Sequence, residues 1–71
     1  MIKKISKEKL HEYMEDKLYR HSYCLLNKVD IENAKEFISN HDYFSKYDVK
    51  IENENANFER IELVGKEIYS N

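Results

Sequence analysis

The chain has 71 residues, with 12 Lys or Arg, 14 Asp or Glu and a formal net charge of −2, which fits one small domain over residues 1–71. Its only cysteine, Cys24, excludes a disulfide framework or a cysteine-based zinc site within one chain. Its only glycine, Gly65, excludes glycine-rich phosphate-binding loops and G-x-S-x-G nucleophile motifs.

The sequence also indicates a compartment. Residues 6–9 are polar where a signal peptide needs apolar residues, and the apolar run at residues 23–26 is far below the roughly 18 residues that span a bilayer. We expect a cytoplasmic protein that crosses no membrane. Ten Lys against two Arg, with seven Ile and seven Asn, are typical of AT-rich coding, and we expect a bacterial, phage or plasmid source.

A first helix is predicted over residues 6–20. Ser6 is a favourable N-cap, and the helix that follows is amphipathic. Leu10, Met14 and Leu18 repeat at four-residue intervals, which places them on one apolar side.

The next segment has two interpretations. His21, Leu25 and Val29 would continue the helical stripe, whereas residues 22–26 also fit a buried strand. We expect a strand over residues 22–28, because the hairpin predicted later would be marginal without a third strand. The alternative is a helical hairpin followed by a C-terminal β-hairpin.

A second helix is predicted over residues 31–39. Asp30 is its N-cap, and Asn40 is expected to close it in the left-handed conformation. One side of this helix is apolar and consists of Ile31, Ala34, Phe37 and Ile38. Residues 41–46 then form a connection with at most one helical turn.

The period changes to two after this connection. Tyr47, Val49 and Ile51 alternate with charged residues, which predicts a strand over residues 47–52. A polar loop and a second alternating segment complete a hairpin with residues 58–64.

Two features follow the predicted hairpin. Gly65 is expected at a bulge, a turn or the end of the last strand. Ile68 and Tyr69 could add a short final element.

The predicted fold is a small two-layer α+β domain of order α-β-α-β-β, with two helices on one face of a three-stranded sheet. A right-handed crossover makes the first two strands parallel, and the hairpin adds the third strand antiparallel. The opposite face is expected to be polar and wet, since it carries Asp48, Lys50, Glu52, Arg60 and Glu62.

Catalytic and metal sites are not expected. The carboxylate pairs Glu15-Asp16 and Glu52-x-Glu54 are typical of solvated surface. The spacings of His11 with Glu15 and of His21 with Cys24 supply only two metal ligands each, whereas a zinc centre needs three or four. We therefore expect a non-enzymatic protein without cofactor or metal.

Nucleic-acid binding is the alternative function. A recognition helix at residues 41–46 would give a degenerate winged-helix order. That segment has only Lys46 as a base, and residues 52–62 contain four acids against Arg60. Phosphate contacts need clustered Lys and Arg, so nucleic acid is an unlikely partner.

Charge is divided along the chain, with a net +3 over residues 1–29 and −5 over residues 30–71. The basic first helix of one copy could face the acidic hairpin of another, and an acidic surface could dock on a basic protein. The candidate acidic surface consists of Glu52, Glu54, Glu59 and Glu62.

Six tyrosines and three phenylalanines are more aromatic side chains than so small a core needs. Exposed tyrosines are enriched at protein interfaces. The candidate partner-binding residues are Tyr19, Tyr23, Tyr43, Phe44 and Tyr47. We expect a small protein-interaction module, as in phage- or plasmid-encoded regulators or inhibitors, that binds a protein partner or forms a homodimer.

Overall fold

The computed structural model describes residues 5–65. It contains two helices and three strands: α1 (Lys7–His21), β1 (Tyr23–Asn27), α2 (Ile31–Asn40), β2 (Asp48–Asn53) and β3 (Phe58–Val64). Short 3₁₀ turns at Lys28–Asp30 and Phe44–Lys46 precede α2 and β2. The element predicted around Ile68 and Tyr69 lies outside the described residues.

α1 begins and ends through local hydrogen bonds. The Ser6 hydroxyl accepts from the Lys9 amide at 3.3 Å, which confirms the predicted N-cap. At the other end Ser22 adopts the left-handed conformation, φ 68°, and its amide donates to the Leu18 carbonyl. Three side chains on the apolar side are fully buried: Leu10, Met14 and Leu18.

The turn at Ser22 decides between the two interpretations of the following segment. A left-handed residue ends the helical path, so the stripe of His21, Leu25 and Val29 is not continued and the chain enters β1. The strand prediction is confirmed, and the helical hairpin is wrong.

α2 follows its predicted bounds, but both of its ends differ in detail. Asp30 holds the N-cap position without a side-chain capping bond. The predicted left-handed Asn40 is wrong, because Asn40 is the last helical residue and His41 turns the chain with extended backbone, φ −84°. The His41 Nδ1 atom accepts from the Tyr43 and Phe44 amides, both at 3.1 Å, so a side-chain acceptor replaces the expected turn.

The sheet has the order β1-β3-β2. β3 pairs antiparallel with β1 on one side and with β2 on the other, so β1 and β2 run in the same direction with β3 between them. This agrees with the predicted strand directions. Gly65 follows β3 in a turn with φ +90°, a conformation that favours glycine.

Both helices contribute to one core on one face of the sheet, as in the predicted α+β domain. The sheet contributes alternate residues of β1 and β3, namely Cys24, Leu26, Ile61 and Leu63. β2 is covered less well: Ile51 is half-buried, and Val49, on the same face, is 39% exposed. The helices therefore leave the β2 side of the sheet partly open.

Candidate functional site

The face of the sheet turned away from the helices is not uniformly polar. Strand alternation places Tyr23 and Leu25 of β1 and Phe58 and Val64 of β3 on this open face. They are 40, 43, 39 and 44% exposed respectively. The predicted polar residues lie there too, mainly along β2, so the expectation of a wholly wet face needs correction: its β1 side is apolar.

Leu25 lies at the middle of this apolar area. It is opposite Arg60 in the ladder and lines a cavity of about 150 Å³ together with Phe58. On its other side Leu25 and Tyr23 line a second cavity, of about 220 Å³, against α1. We call Tyr23, Leu25, Phe58 and Arg60 the Leu25 patch.

Arg60 gives the Leu25 patch a charge next to its apolar side chains. Its guanidinium carbon lies 4.5 Å from the centre of the Tyr23 ring, a cation–π contact. Its Nη2 atom donates to Glu62 Oε1 at 3.4 Å. The Nε atom is buried and has no hydrogen-bond partner within the part of the chain that the structure describes, whereas the side chain as a whole is 34% exposed.

α1 fixes the outer edge of β1 beneath this patch. The Tyr13 hydroxyl donates to the Leu25 carbonyl at 2.8 Å. Burial is the largest cause that raises the pKa of Tyr13, so the hydroxyl keeps the proton it donates. The bond holds Leu25 in place and uses a carbonyl that would otherwise lie free at a sheet edge.

Four of the five predicted partner-binding residues come together away from the Leu25 patch. The Tyr19 ring stacks on Tyr43 with centroids 5.4 Å apart and lies 4.7 Å from Phe44. The Tyr47 hydroxyl donates to the Tyr43 hydroxyl at 3.2 Å. These rings join α1 to the connection between α2 and β2, whereas Tyr23 lies on the open face.

Phe44 requires a correction. It is fully buried, so it belongs to the core and presents no surface to a partner. His41 stacks on it with centroids 4.0 Å apart, and His41 Nε2 is 3.1 Å from Glu15 Oε2. Because His41 Nδ1 accepts two backbone hydrogen bonds, the ring hydrogen is on Nε2, which donates a hydrogen bond to the Glu15 carboxylate. This network fixes the turn that carries Phe44 into the core.

The four candidate acidic residues do not share one surface. Glu52 and Glu62 lie on the open face, near Lys50 at 3.6 Å and Arg60 at 3.4 Å respectively. Glu59 has the same parity on β3 as Ile61 and faces the helix side, and Glu54 is exposed in the β2–β3 turn. Strand alternation therefore separates acids that are close in sequence.

The remaining candidate groups do not converge on a reactive site. Cys24 is buried, and burial raises its thiol pKa to about 12. His11 stacks on Phe37 with centroids 4.3 Å apart. Among residues 5–65, no three His, Cys, Asp or Glu side chains are grouped to hold a metal ion. Nor does any helix there have the length and apolar character needed to cross a membrane.

Sequence reasoning identified Tyr23 but missed Leu25, Phe58 and Arg60. A signal for the missing residues was present at residues 23–26, where both alternating sets are apolar. A strand that alternates apolar with apolar has two apolar faces, and the helices can cover only one of them.

Comparisons of the chain with protein-family models, with curated proteins and with solved structures found no match. Function has to be inferred from the geometry of the described residues. That geometry offers an exposed apolar patch with an arginine beside its apolar side chains and, among residues 5–65, no group of three potential metal ligands.

Proposed function

We propose that this chain is a small non-enzymatic protein-interaction module that binds a protein partner through the Leu25 patch. The observation that supports it most is the grouping of Tyr23, Leu25 and Phe58, each 39–43% exposed, around Arg60 on an open sheet face. Apolar side chains grouped on one surface often mark a binding site, and the largest such patch of a monomer is often functional. Tyrosine and arginine are also the residues most enriched among binding hot spots.

The chemistry of the patch indicates what the partner offers. An apolar side chain can fill the shallow cavities on either side of Leu25. A carbonyl or carboxylate can pair with the positive charge of Arg60, whose side chain is 34% exposed. The expected partner surface is thus apolar, with an acceptor positioned to meet Arg60.

The proposal includes the biological setting expected from the sequence, a cytoplasmic regulator or inhibitor encoded by a phage or plasmid. The lone cysteine and the lysine-rich, glycine-poor composition support this part. The interaction through the Leu25 patch does not depend on it.

No specific observation favours nucleic acid as a second candidate partner. Residues 41–46 contain one 3₁₀ turn, Phe44–Lys46, and its first side chain is fully buried. The β2–β3 turn at residues 54–57 carries Glu54 and no base, so it lacks the phosphate contacts of a DNA-binding wing.

The test is capture of partners from lysate of the source cell, with wild-type protein and two matched variants as baits. Leu25→Ala and Val29→Ala each truncate an aliphatic side chain that is 43% exposed, but only Leu25 belongs to the patch. We expect one protein to be retained by wild type and Val29→Ala. Leu25→Ala should weaken its binding at least about tenfold, as truncation of a hot-spot residue does.

A nuclease-treated sample separates the classes of partner. The proposal requires that the captured protein persists after treatment. Capture that depends on nucleic acid, or that Leu25→Ala and Val29→Ala weaken equally, contradicts it.

A further inference from the structure

β2 presents a free hydrogen-bonding edge. The Glu54 amide donates to the Phe58 carbonyl across the hairpin. This bond and the β2–β3 register show which residues of β2 direct their backbone N–H and C=O groups towards β3. Backbone groups of even-numbered residues point to β3, and those of Val49, Ile51 and Asn53 point outward. Among residues 5–65, β2 pairs only with β3, and no other described strand covers this outward row.

An apolar groove lies beside the same edge. It has a volume of about 380 Å³ and is lined on the helix side by Ile38 of α2, Tyr47, and Val49 and Ile51 of β2. Val49 is 39% exposed and Ile51 half-buried, because the helices do not extend over β2. A strand added to β2 would place every second side chain over this groove.

We propose that a second copy of this chain occupies this edge, with β2 paired antiparallel to β2 of its partner about a two-fold axis at Ile51. Such a contact is self-complementary, as two-fold symmetry requires, and gives a continuous six-stranded sheet, β1-β3-β2 followed by its symmetry mate. Ile51 then meets its own copy over the groove, and Val49 lies opposite Asn53. This inference concerns a different surface from the Leu25 patch and does not rest on the proposed function.

The charges of β2 favour this register. The outward backbone groups of one copy must pair with outward groups of the other. The two-fold axis must therefore pass through a residue, such as 50, 51 or 52, and not between two residues. With the axis at Ile51, each Lys50 is opposite Glu52 of the other copy, which gives two cross-strand pairs of opposite charge on the open face. The same residues already attract within one chain at 3.6 Å, so the two strands build an alternating row of charges.

The neighbouring registers are less favourable. An axis at Lys50 places Lys50 against itself and Asp48 against Glu52. An axis at Glu52 places Glu52 against itself. Like charges directly opposite one another in a ladder are destabilising, so the register centred on Ile51 is favoured over both of these neighbours.

The test is a charge-reversal exchange followed by sedimentation equilibrium. Lys50→Glu places Glu against Glu52 of the other copy, and Glu52→Lys places Lys against Lys50. Each single variant should therefore dimerise at least about tenfold more weakly than wild type. A mixture of the two variants restores both opposite-charge pairs, so we expect a heterodimer as strong as the wild-type homodimer. The double variant Lys50→Glu, Glu52→Lys should dimerise like wild type.

Two controls keep the result specific. Lys46→Glu makes the same change in net charge at an exposed residue before β2, and it should leave dimerisation unchanged. Leu25→Ala should do so as well, which separates this surface from the Leu25 patch. Thermal melting of each variant establishes that it is folded, and the mixing experiment recovers a signal that an unfolded chain cannot give.

Several outcomes would overturn the inference. A wild-type protein that stays monomeric at every concentration leaves the edge to a strand of another protein or to none. A dimer that Lys50→Glu weakens no more than Lys46→Glu uses another surface. Single variants that fail to form a heterodimer when mixed exclude the register centred on Ile51.

Discussion

The two edges of the sheet differ in how the rest of the chain covers them. β1 alternates exposed and buried residues, with Cys24 and Leu26 only 2 and 3% exposed, and Tyr13 of α1 occupies the carbonyl of Leu25. β2 has no buried residue, and Val49 and Ile51 line an open groove on its helix side. One edge strand therefore contributes to the core, whereas the outer side of the other has no neighbouring strand among residues 5–65.

This difference follows from where the core is concentrated. The apolar sides of both helices converge on β1 and β3, where the core residues are concentrated. β2 is held by its ladder with β3 and by the partial burial of Ile51. The surface of β2 that the helices do not cover is where we propose the contact with a second copy.

The largest expected effect compares one aliphatic truncation on each edge strand. Leu26→Ala removes a buried side chain of β1, and we expect a loss of about 2–5 kcal/mol in the free energy of unfolding. A domain of this length has roughly 4–10 kcal/mol in total, so much of the protein would unfold. Val49→Ala on β2 should cost less than about 1 kcal/mol, because its side chain is already partly in water. Urea titrations measure both, at a concentration low enough for monomer.

Equal losses for the two variants would contradict the contrast between the edges. They would mean that β2 is packed as firmly as β1.

A smaller effect should depend on pH through the thiol of β1. The folded pKa of Cys24, about 12, is above its ordinary value of 9.0 because of burial. As pH rises, the Cys24 thiol ionises in the unfolded chain before it ionises in the folded chain. Its contribution to the free energy of unfolding is therefore complete below about pH 9. That contribution is lost as pH rises towards the folded pKa, by at most about 1.4 kcal/mol per pH unit. The raised pKa of Tyr13 acts in the same direction. We therefore expect Cys24→Ala to reduce, without abolishing, the fall in stability between about pH 9 and 11.

Moving the thiol to the other edge is the matched control. Cys24→Ala combined with Val49→Cys places a thiol where burial is slight, and its alkaline slope should match that of Cys24→Ala alone. A wild-type slope no steeper than that of Cys24→Ala would show that the thiol is not protected by the fold.

Much of the fold could be predicted because its signals are local. Ser6 caps α1 through its own side chain, and the change from a four-residue to a two-residue period marks the start of β2. The ends of elements were less predictable. Ser22 adopts a left-handed conformation usually taken by glycine or asparagine. Asn40 stays helical, and in the turn that follows one atom, His41 Nδ1, accepts two amide hydrogen bonds.

The candidate site was harder to predict because it depends on tertiary packing. Phe44 lies in a connection between elements, where side chains are expected to be exposed, yet the rings of Tyr19 and His41 pack against it. Leu25 and Phe58 come together only because β3 lies between the other two strands. Coverage of a strand by helices depends on distant residues, and local periodicity does not contain that information.

The most direct test of the difference between the edges is a dilution series followed by the backbone amide signals of the protein in solution. We expect the amides of Val49, Ile51 and Asn53 to shift with concentration, since they point outward from β2 and gain a partner in the dimer. The amides of Tyr23 and Leu25 on β1 should stay constant. Shifts confined to β1, or an absence of shifts at β2 up to the highest soluble concentration, would contradict the account.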